Sequence, residues 1–273
     1  MQRDKPAVRD FCVIKNSKKM TSKNKIALIT GGSRGLGKDM ALALAKNVID
    51  IIITYRNQKD EALQVVSEIE EAGRRAAALQ LDTADIAGFP RFIAEVKSTL
   101  KNIFNTEAID FLINNAGIGI HAPFAETTEE QFDALMNIHF KGVFFFTQKT
   151  LPLINDNGRI VNISTGLARF SNPGYAAYAS MKGAVETLTR YMAKELGARK
   201  IAVNVVAPGA IETDFSGGMV RDNEAINKHI ASVTALGRVG VPEDIGGVVA
   251  FLCSEGGRWI NGQRIEVSGG MNL

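Results

Sequence analysis

From residue 26 onward the chain alternates short apolar runs with longer amphipathic stretches, and this rhythm constrains the fold more than any other feature. The runs fall at residues 26–30, 51–55, 76–81, 109–113, 160–164, 201–207 and 264–267. Each is short and almost wholly apolar, the pattern of a strand covered on both faces. Helical spacing fills the intervals at 35–46, 60–72, 89–100, 128–151, 175–196 and 242–253. Local signals mark the joints. Asn47 is expected as a left-handed cap after the first helix and Gly73 after the second. Pro90 suits the first turn of the third. Thr127 or Thr128, ahead of Glu129 and Glu130, opens the fourth. Strands alternating with helices predict an α/β fold, a parallel sheet with helices on both faces. The segment from 215 to 229 carries no such period and is read as a mobile closure hinged at Gly217-Gly218.

The chain has 273 residues, 45% of them hydrophobic, enough for one large core. No apolar run approaches the roughly 18 residues of a membrane span. Cys12 and Cys253 make no disulfide framework, and His121, His139 and His229 are scattered without the spacing of a metal site. The expected setting is a reducing cytoplasm. The formal charge of +3 is misleading, because residues 1–25 hold eight Lys/Arg against two Asp. The body is net acidic and offers no case for nucleic-acid binding. Residues 1–23 are polar and aperiodic and are expected to form a disordered extension, with the folded domain at 24–273.

After the first strand comes Thr30-Gly31-Gly32-Ser33-Arg34-Gly35-Leu36-Gly37, opening a helix. Small residues let backbone approach a pyrophosphate, and the helix start supplies free N–H groups. An ordinary glycine-rich turn is the bland alternative, but strand, turn and helix in this order are the context a dinucleotide site requires. The second strand ends Tyr55-Arg56-Asn57 with no carboxylate for ribose hydroxyls. Arg34 and Arg56 would instead suit a 2′-phosphate, which predicts NADP(H).

Tyr178 and Lys182 are four residues apart, so on a helix they share a face. A Lys charge about 4 Å from a phenol is worth on the order of 4 kcal/mol at an effective dielectric of about 20. That would lower the phenol by about three units and make Tyr178 an acid/base near neutrality. Such a pair is also a common accident of an amphipathic helix.

The accident becomes improbable when the order of segments is considered. Asn114-Asn115-Ala116-Gly117 ends the fourth strand, Asn137 lies in the next helix, and Pro208-Gly209-x-x-x-Thr213 ends the sixth strand. Together with the glycine loop, Tyr178 and Lys182, they resemble the classical short-chain dehydrogenase/reductase family across residues 24–273. The 3-oxoacyl-carrier-protein-reductase-like branch is the nearest-looking group.

The resemblance implies a seven-stranded, doubly wound Rossmann-type domain and a homotetramer. It implies Tyr178 as acid/base, Lys182 as holder of the nicotinamide ribose, and Asn137 as anchor of a water relay. The family's serine stands thirteen residues before the Tyr, where this chain has Thr165; Ser164 is adjacent. Successive strand residues face opposite ways, so only one of the two can aim at substrate, and the spacing favours Thr165. The implied cofactor contacts are Gly31, Ser33, Arg34, Gly35, Leu36, Gly37, Tyr55, Arg56, Asp82, Thr83, Asn115, Ala116, Gly117, Tyr178, Lys182, Pro208, Gly209, Ile211 and Thr213.

The expected reaction is hydride transfer between NADP(H) and a small-molecule ketone or secondary alcohol. Its pocket would draw on His121, Phe124, Arg169, Phe170, Tyr175, Phe215, Met219 and Val220. Two alternatives stand beside it. One is a 3-oxoacyl-carrier-protein reductase, weakened by Asp156-Asn157 where basic residues would meet an acidic carrier, although Arg199 and Lys200 remain. The other is an NADP(H)-binding regulator without turnover.

Overall fold

The computed structural model describes residues 24–273. The expected disordered extension 1–23, with Cys12, lies outside the described residues. Strands β1 (Ile26–Ile29), β2 (Asp50–Tyr55), β3 (Ala76–Gln80), β4 (Ile109–Asn114), β5 (Ile154–Ile163), β6 (Ala202–Pro208) and β7 (Arg264–Val267) form one sheet. Its order is β3-β2-β1-β4-β5-β6-β7. Every pairing is parallel, with Ile29 opposite both Ile53 and Ile113.

Period two explains why the inner strands are almost wholly apolar. In β1, Ala27 and Ile29 enter a core with Met40 and Leu44 of helix α1 (Gly35–Lys46). Helix α2 (Lys59–Glu71) adds Val65 and Ile69 to that layer. Ile26 and Leu28 face the other way, onto Phe89, Phe92 and Val96 of helix α3 (Phe89–Asn102). Burying one such Leu or Ile side chain contributes roughly 1.5–3 kcal/mol. The chain winds from β1 outward to β3, then returns to β4 on the other side of β1. That reversal opens a crevice at the carboxyl ends of β1 and β4.

Several expectations change. Asn47 has φ −91°, and the left-handed residue is Val48, with φ 65°. Asn47 serves instead through its side-chain Nδ2, which donates to the Ala43 carbonyl at 2.9 Å. Gly73 is left-handed as read, with φ +77°. Strand β5 starts six residues early, before a bend at Asn157 (φ 65°) and an irregularity in its pairing with β4.

The single helix expected over 128–151 is three pieces. Helix α4 (Glu129–Met136) opens with a capping box between Thr128 and Gln131. A π turn (Asn137–Lys141) follows, then helix α5 (Gly142–Thr150). The Gly142 N–H reaches back five residues to the Asn137 carbonyl. Gly142 also abuts the Thr83 carbonyl so closely that a Cβ there would collide with it. One extra residue per turn is a frequent device at functional sites.

The segment read as a mobile closure contains two helices, α7 (Met219–Asp222) and α8 (Glu224–Ser232), after α6 (Ala176–Glu195) and before α9 (Glu243–Cys253). Ser216, Gly217 and Gly218 all have positive φ (53°, 72° and 76°) and turn the chain into α7. Asn223 caps α8, its Oδ1 accepting the Ile226 N–H at 3.1 Å.

Candidate active site

Two loops meet at the reversal point. The Thr30 hydroxyl accepts the N–H groups of Asn115 and Ala116, both at 3.0 Å. The Asn115 amide donates to the Thr30 and Gly31 carbonyls, both at 2.9 Å. These four bonds fix the β1–α1 loop against the end of β4. Gly31 must be glycine, since φ is +67° and a Cβ would lie 2.9 Å from the Ala116 Cα. Arg34, the residue before α1, makes no side-chain cap, and the first turn of α1 contains no acid. Its N–H groups therefore face the crevice without a protein acceptor, as a phosphate seat requires.

The crevice has a volume of about 1370 Å³. Gly31, Ser33, Arg34, Gly35, Leu36, Tyr55, Arg56, Asp82, Thr83, Asn115, Ala116, Gly117, Tyr178, Lys182, Pro208, Gly209, Ile211 and Thr213 line it. At its far end Arg56 Nε lies 3.2 Å from Asp82, and Arg34 lies 3.8 Å from Asp214. Both guanidiniums remain about half exposed at the rim. A tight glycine cradle, unpartnered helix N–H groups and two rim arginines together fit a phosphorylated dinucleotide.

Two residues named from sequence do not line the crevice. Gly37 is buried behind the loop, where a Cβ would run into the Gly31 carbonyl oxygen. Asn137 begins the π turn and does not line the crevice; Ile138 and His139 do.

At the inner end, Thr165, Tyr178 and Lys182 come together, each less than a tenth exposed. Thr165 follows the end of β5, and its hydroxyl accepts the Leu167 N–H at 3.3 Å. Ser164 points to the opposite side, its hydroxyl donating to Glu186 at 2.7 Å. Glu186 is held by Arg264 at 2.8 Å, and Arg264 also reaches Glu266 at 2.8 Å and the Thr165 carbonyl at 3.1 Å. This ion network braces the strand end from behind. The period-two argument places the two neighbouring hydroxyls as expected.

The electrostatics differ from the simple Coulomb expectation. Burial pushes the Tyr178 phenol well above its ordinary value, with the Thr165 hydrogen bond acting against that rise. Lys182 is itself drawn down to about 8 by burial. Its ammonium donates to the Ile163 carbonyl at 2.7 Å and sits 5.8 Å from the Tyr178 ring centroid. Desolvation of both groups outweighs the attraction expected from helical spacing alone.

The wall facing these residues is aromatic. Phe215 lies 5.9 Å from Tyr178, Tyr175 lies 6.5 Å from it, and His121 packs edge-on to Tyr175 at 5.0 Å. Phe170, Met219 and Val220 also line this part. Phe124 lines a side pocket of about 410 Å³ instead. Arg169 turns away, fixed to Glu266 at 2.7 Å and to the Met271 carbonyl at 2.8 Å. Arg199 is likewise engaged, by Asp156 at 2.8 Å.

The sequence reading missed His139. It is 1% exposed, and its ring stands edge-on to Tyr178 at 5.1 Å. A signal was present: His139 is four residues after the buried Leu135, on the apolar stripe of its helix.

A dinucleotide crevice ending in a buried Tyr, Lys and Thr defines an oxidoreductase acting between carbonyl and alcohol. The chain belongs to the short-chain dehydrogenase/reductase family: residues 31–272 match the family model described as Enoyl-(Acyl carrier protein) reductase. It is 38% identical over 257 residues to the hydroxynaphthalene reductase-like protein Arp2 of Metarhizium brunneum, covering 90% of this chain and 94% of that protein. It is 37% identical over 260 residues to the tetrahydroxynaphthalene reductase PfmaG of Pestalotiopsis fici, covering 90% and 91%. Among solved structures, the angucycline C-6 ketoreductase LanV with bound NADP superposes with a TM-score of 0.87 at 34% identity. That match covers 91% of this chain and 96% of LanV.

Proposed function

We propose that the chain is an NADP(H)-dependent ketoreductase whose substrate is a planar, fused-ring aromatic ketone or the corresponding secondary alcohol. The observation that carries this reading is the convergence of Thr165, Tyr178 and Lys182 beneath a wall of Tyr175, Phe215 and His121. Aromatic faces favour offset and edge contacts with a flat ring system. The relatives named for hydroxynaphthalene and angucycline ketones act on that kind of molecule by their names.

When bound, the nicotinamide supplies the hydride. The residues of the chain do the rest. The Tyr178 hydroxyl delivers a proton to the carbonyl oxygen as that oxygen gains charge, and recovers it in the reverse direction. The Thr165 hydroxyl donates a second hydrogen bond to the same oxygen, stabilising the developing alkoxide. Lys182 orients the cofactor ribose and favours the phenolate left after proton transfer. The glycine loop and the α1 N-terminus hold the pyrophosphate, and Arg34 and Arg56 the 2′-phosphate. Asn137, at the start of the π turn, anchors a water relay behind Lys182.

The acyl-carrier alternative loses support because Arg199 is tied to Asp156 and Leu151 rather than free to meet an acidic partner. A cytoplasmic setting and a homotetramer complete the proposal. Among the described residues no helix is long and apolar enough to cross a membrane. Exposed Tyr191 on α6 and Phe251 on α9, with Trp259 in a turn beyond α9, give a surface for a second copy to cover.

The test is a panel of fused-ring phenolic ketones, aliphatic ketones and 3-oxoacyl-carrier thioesters, each with NADPH and NADH. Turnover of fused-ring ketones with preference for NADPH is expected. Turnover confined to carrier thioesters would overturn the substrate class. NADPH binding with no turnover across the panel would favour the regulator.

A further inference from the structure

Four residues that line the crevice, His121, Leu167, Asn172 and Tyr175, also line the side pocket of about 410 Å³. That volume falls within the range of about 300–1,000 Å³ usual for small-molecule sites. The mechanism above makes no use of it.

Two loops and the first turn of α6 build the pocket. The Ala122 N–H donates to the Gly174 carbonyl at 2.9 Å, joining the segment after β4 to the one before α6. Gly174 has φ +87°, and a Cβ there would lie 2.1 Å from the His121 Nε2 and 2.5 Å from its Cδ2. The His121 ring therefore rests on bare backbone, edge-on to Tyr175 at 5.0 Å. Tyr175 stands three residues before Tyr178, and their rings are 6.5 Å apart. A continuous aromatic edge runs from Tyr178 through Tyr175 to His121, where the side pocket begins. Pro123, Phe124 and Pro173 lie along its outer side. Ala176 and Ala179 of α6 share a helix face, and their small side chains leave that side hollow. Phe124 is 85% exposed, yet its turn is fixed: the Pro123 carbonyl accepts the Glu126 N–H at 2.9 Å and the Thr127 hydroxyl at 3.1 Å. Among the described residues no Asp, Glu, Lys or Arg lines the pocket, so it suits an uncharged occupant.

We propose that the side pocket is a second subsite for the substrate, taking an uncharged apolar substituent, a phenyl or short alkyl group, carried on the ring remote from the reacting carbonyl. The proposal rests on the fused-ring ketoreductase reading above, since the carbonyl must lie at Tyr178 for the remote ring to pass Tyr175. The occupant is part of the substrate rather than a separate effector, because the shared wall makes the pocket a continuation of the crevice. Such a group is held equally in the ground and transition states. It therefore lowers KM and leaves kcat nearly unchanged.

Two measurements on the whole protein test it. The first compares reduction of 1-tetralone with that of its 6-butyl and 6-phenyl derivatives at saturating NADPH. The substituted ketones should have kcat/KM higher by about tenfold or more, through KM. Ala176→Trp fills the pocket and Phe124→Ala opens its outer side. Both positions are exposed, so neither change disturbs the core. In each variant the ratio of substituted to unsubstituted kcat/KM should fall towards one. The second measurement needs no turnover: alanine-methyl spectra of the NADP-loaded protein. The 6-phenyl ketone should move the Ala176 and Ala179 signals, and 1-tetralone should leave them in place. A parent protein that treats substituted and unsubstituted ketones alike overturns the proposal, as do variants that keep the parent ratio. So do Ala176 and Ala179 shifts produced equally by butylbenzene alone, which would mark a free-standing pocket. If 1-tetralone itself is neither bound nor reduced, the fused-ring reading falls first and takes this proposal with it.

Discussion

Thr165→Val and Ser164→Ala should produce opposite defects, because the end of β5 aims their hydroxyls in opposite directions. Val at 165 keeps the shape of the side chain and removes the hydroxyl that stands beside Tyr178 in the crevice. An oxyanion donor of this kind is worth roughly a hundredfold to a thousandfold in kcat. Its structural duty is slight, a 3.3 Å cap on a three-residue turn, worth about 1 kcal/mol at most. Ser164 is the reverse case. Its 2.7 Å bond goes to Glu186, whose side chain is 13% exposed and shared with Arg264. A hydrogen bond to a charged group contributes about 1.5–3 kcal/mol. In a domain of this size that corresponds to a fall in Tm of about 3–12 °C. Steady-state kinetics with saturating NADPH, paired with thermal melts, separates the two. Thr165→Val should melt within a few degrees of the parent while losing turnover. Ser164→Ala should melt early while retaining kcat within about threefold. A Ser164→Ala protein that loses turnover while Thr165→Val retains it would refute the assignment and the strand geometry behind it.

Arg56→Ala should raise the Kd for NADPH about 10- to 100-fold and leave that for NADH nearly unchanged, measured by fluorescence titration. Equal losses for both cofactors would remove Arg56 from 2′-phosphate recognition. Glu266→Gln tests the network behind the site. Arg169 above all, then Arg264 and Ser268, hold the Glu266 carboxyl down at about 2 against an ordinary 4.5. A depressed carboxylate contributes stability that is complete above its unfolded pKa and is lost as pH falls through the folded one. The Tm gap between parent and Glu266→Gln should therefore be full at about pH 6 and shrink between about pH 4.5 and 2. A gap that does not change with pH would show that the carboxylate charge is not what the network uses.

The layers of the fold were legible because strands covered on both faces leave short, β-branched apolar runs such as Ile51-Ile52-Ile53, spaced between longer amphipathic stretches. The opposite aim of the Ser164 and Thr165 hydroxyls was legible for a similar reason, since the alternation of β5 carries on into the two residues after it. Features that depend on contacts between distant segments were not. The π turn at Asn137 requires the Thr83 loop lying against Gly142, and nothing within residues 128–151 announces that neighbour. The direction of the Tyr178 shift was misjudged because helical spacing fixes the distance to Lys182 but not the depth at which both are buried. Val48 in a left-handed conformation, next to an Asn better suited to it, follows from the path into β2 rather than from local preference. His139 lay on the apolar stripe in plain view, but a lone histidine there looks like any other core residue until its Nδ1 is found without a partner.

Tyr178→Phe tests the central claim most directly, because it removes one oxygen from a buried ring and leaves the crevice otherwise intact. Single-turnover reduction of a fused-ring ketone should slow by at least about a hundredfold, with NADPH affinity nearly unchanged. Turnover close to that of the parent protein would contradict the account, since the proton would then have to come from another group lining the crevice, such as the Thr165 or Tyr175 hydroxyl.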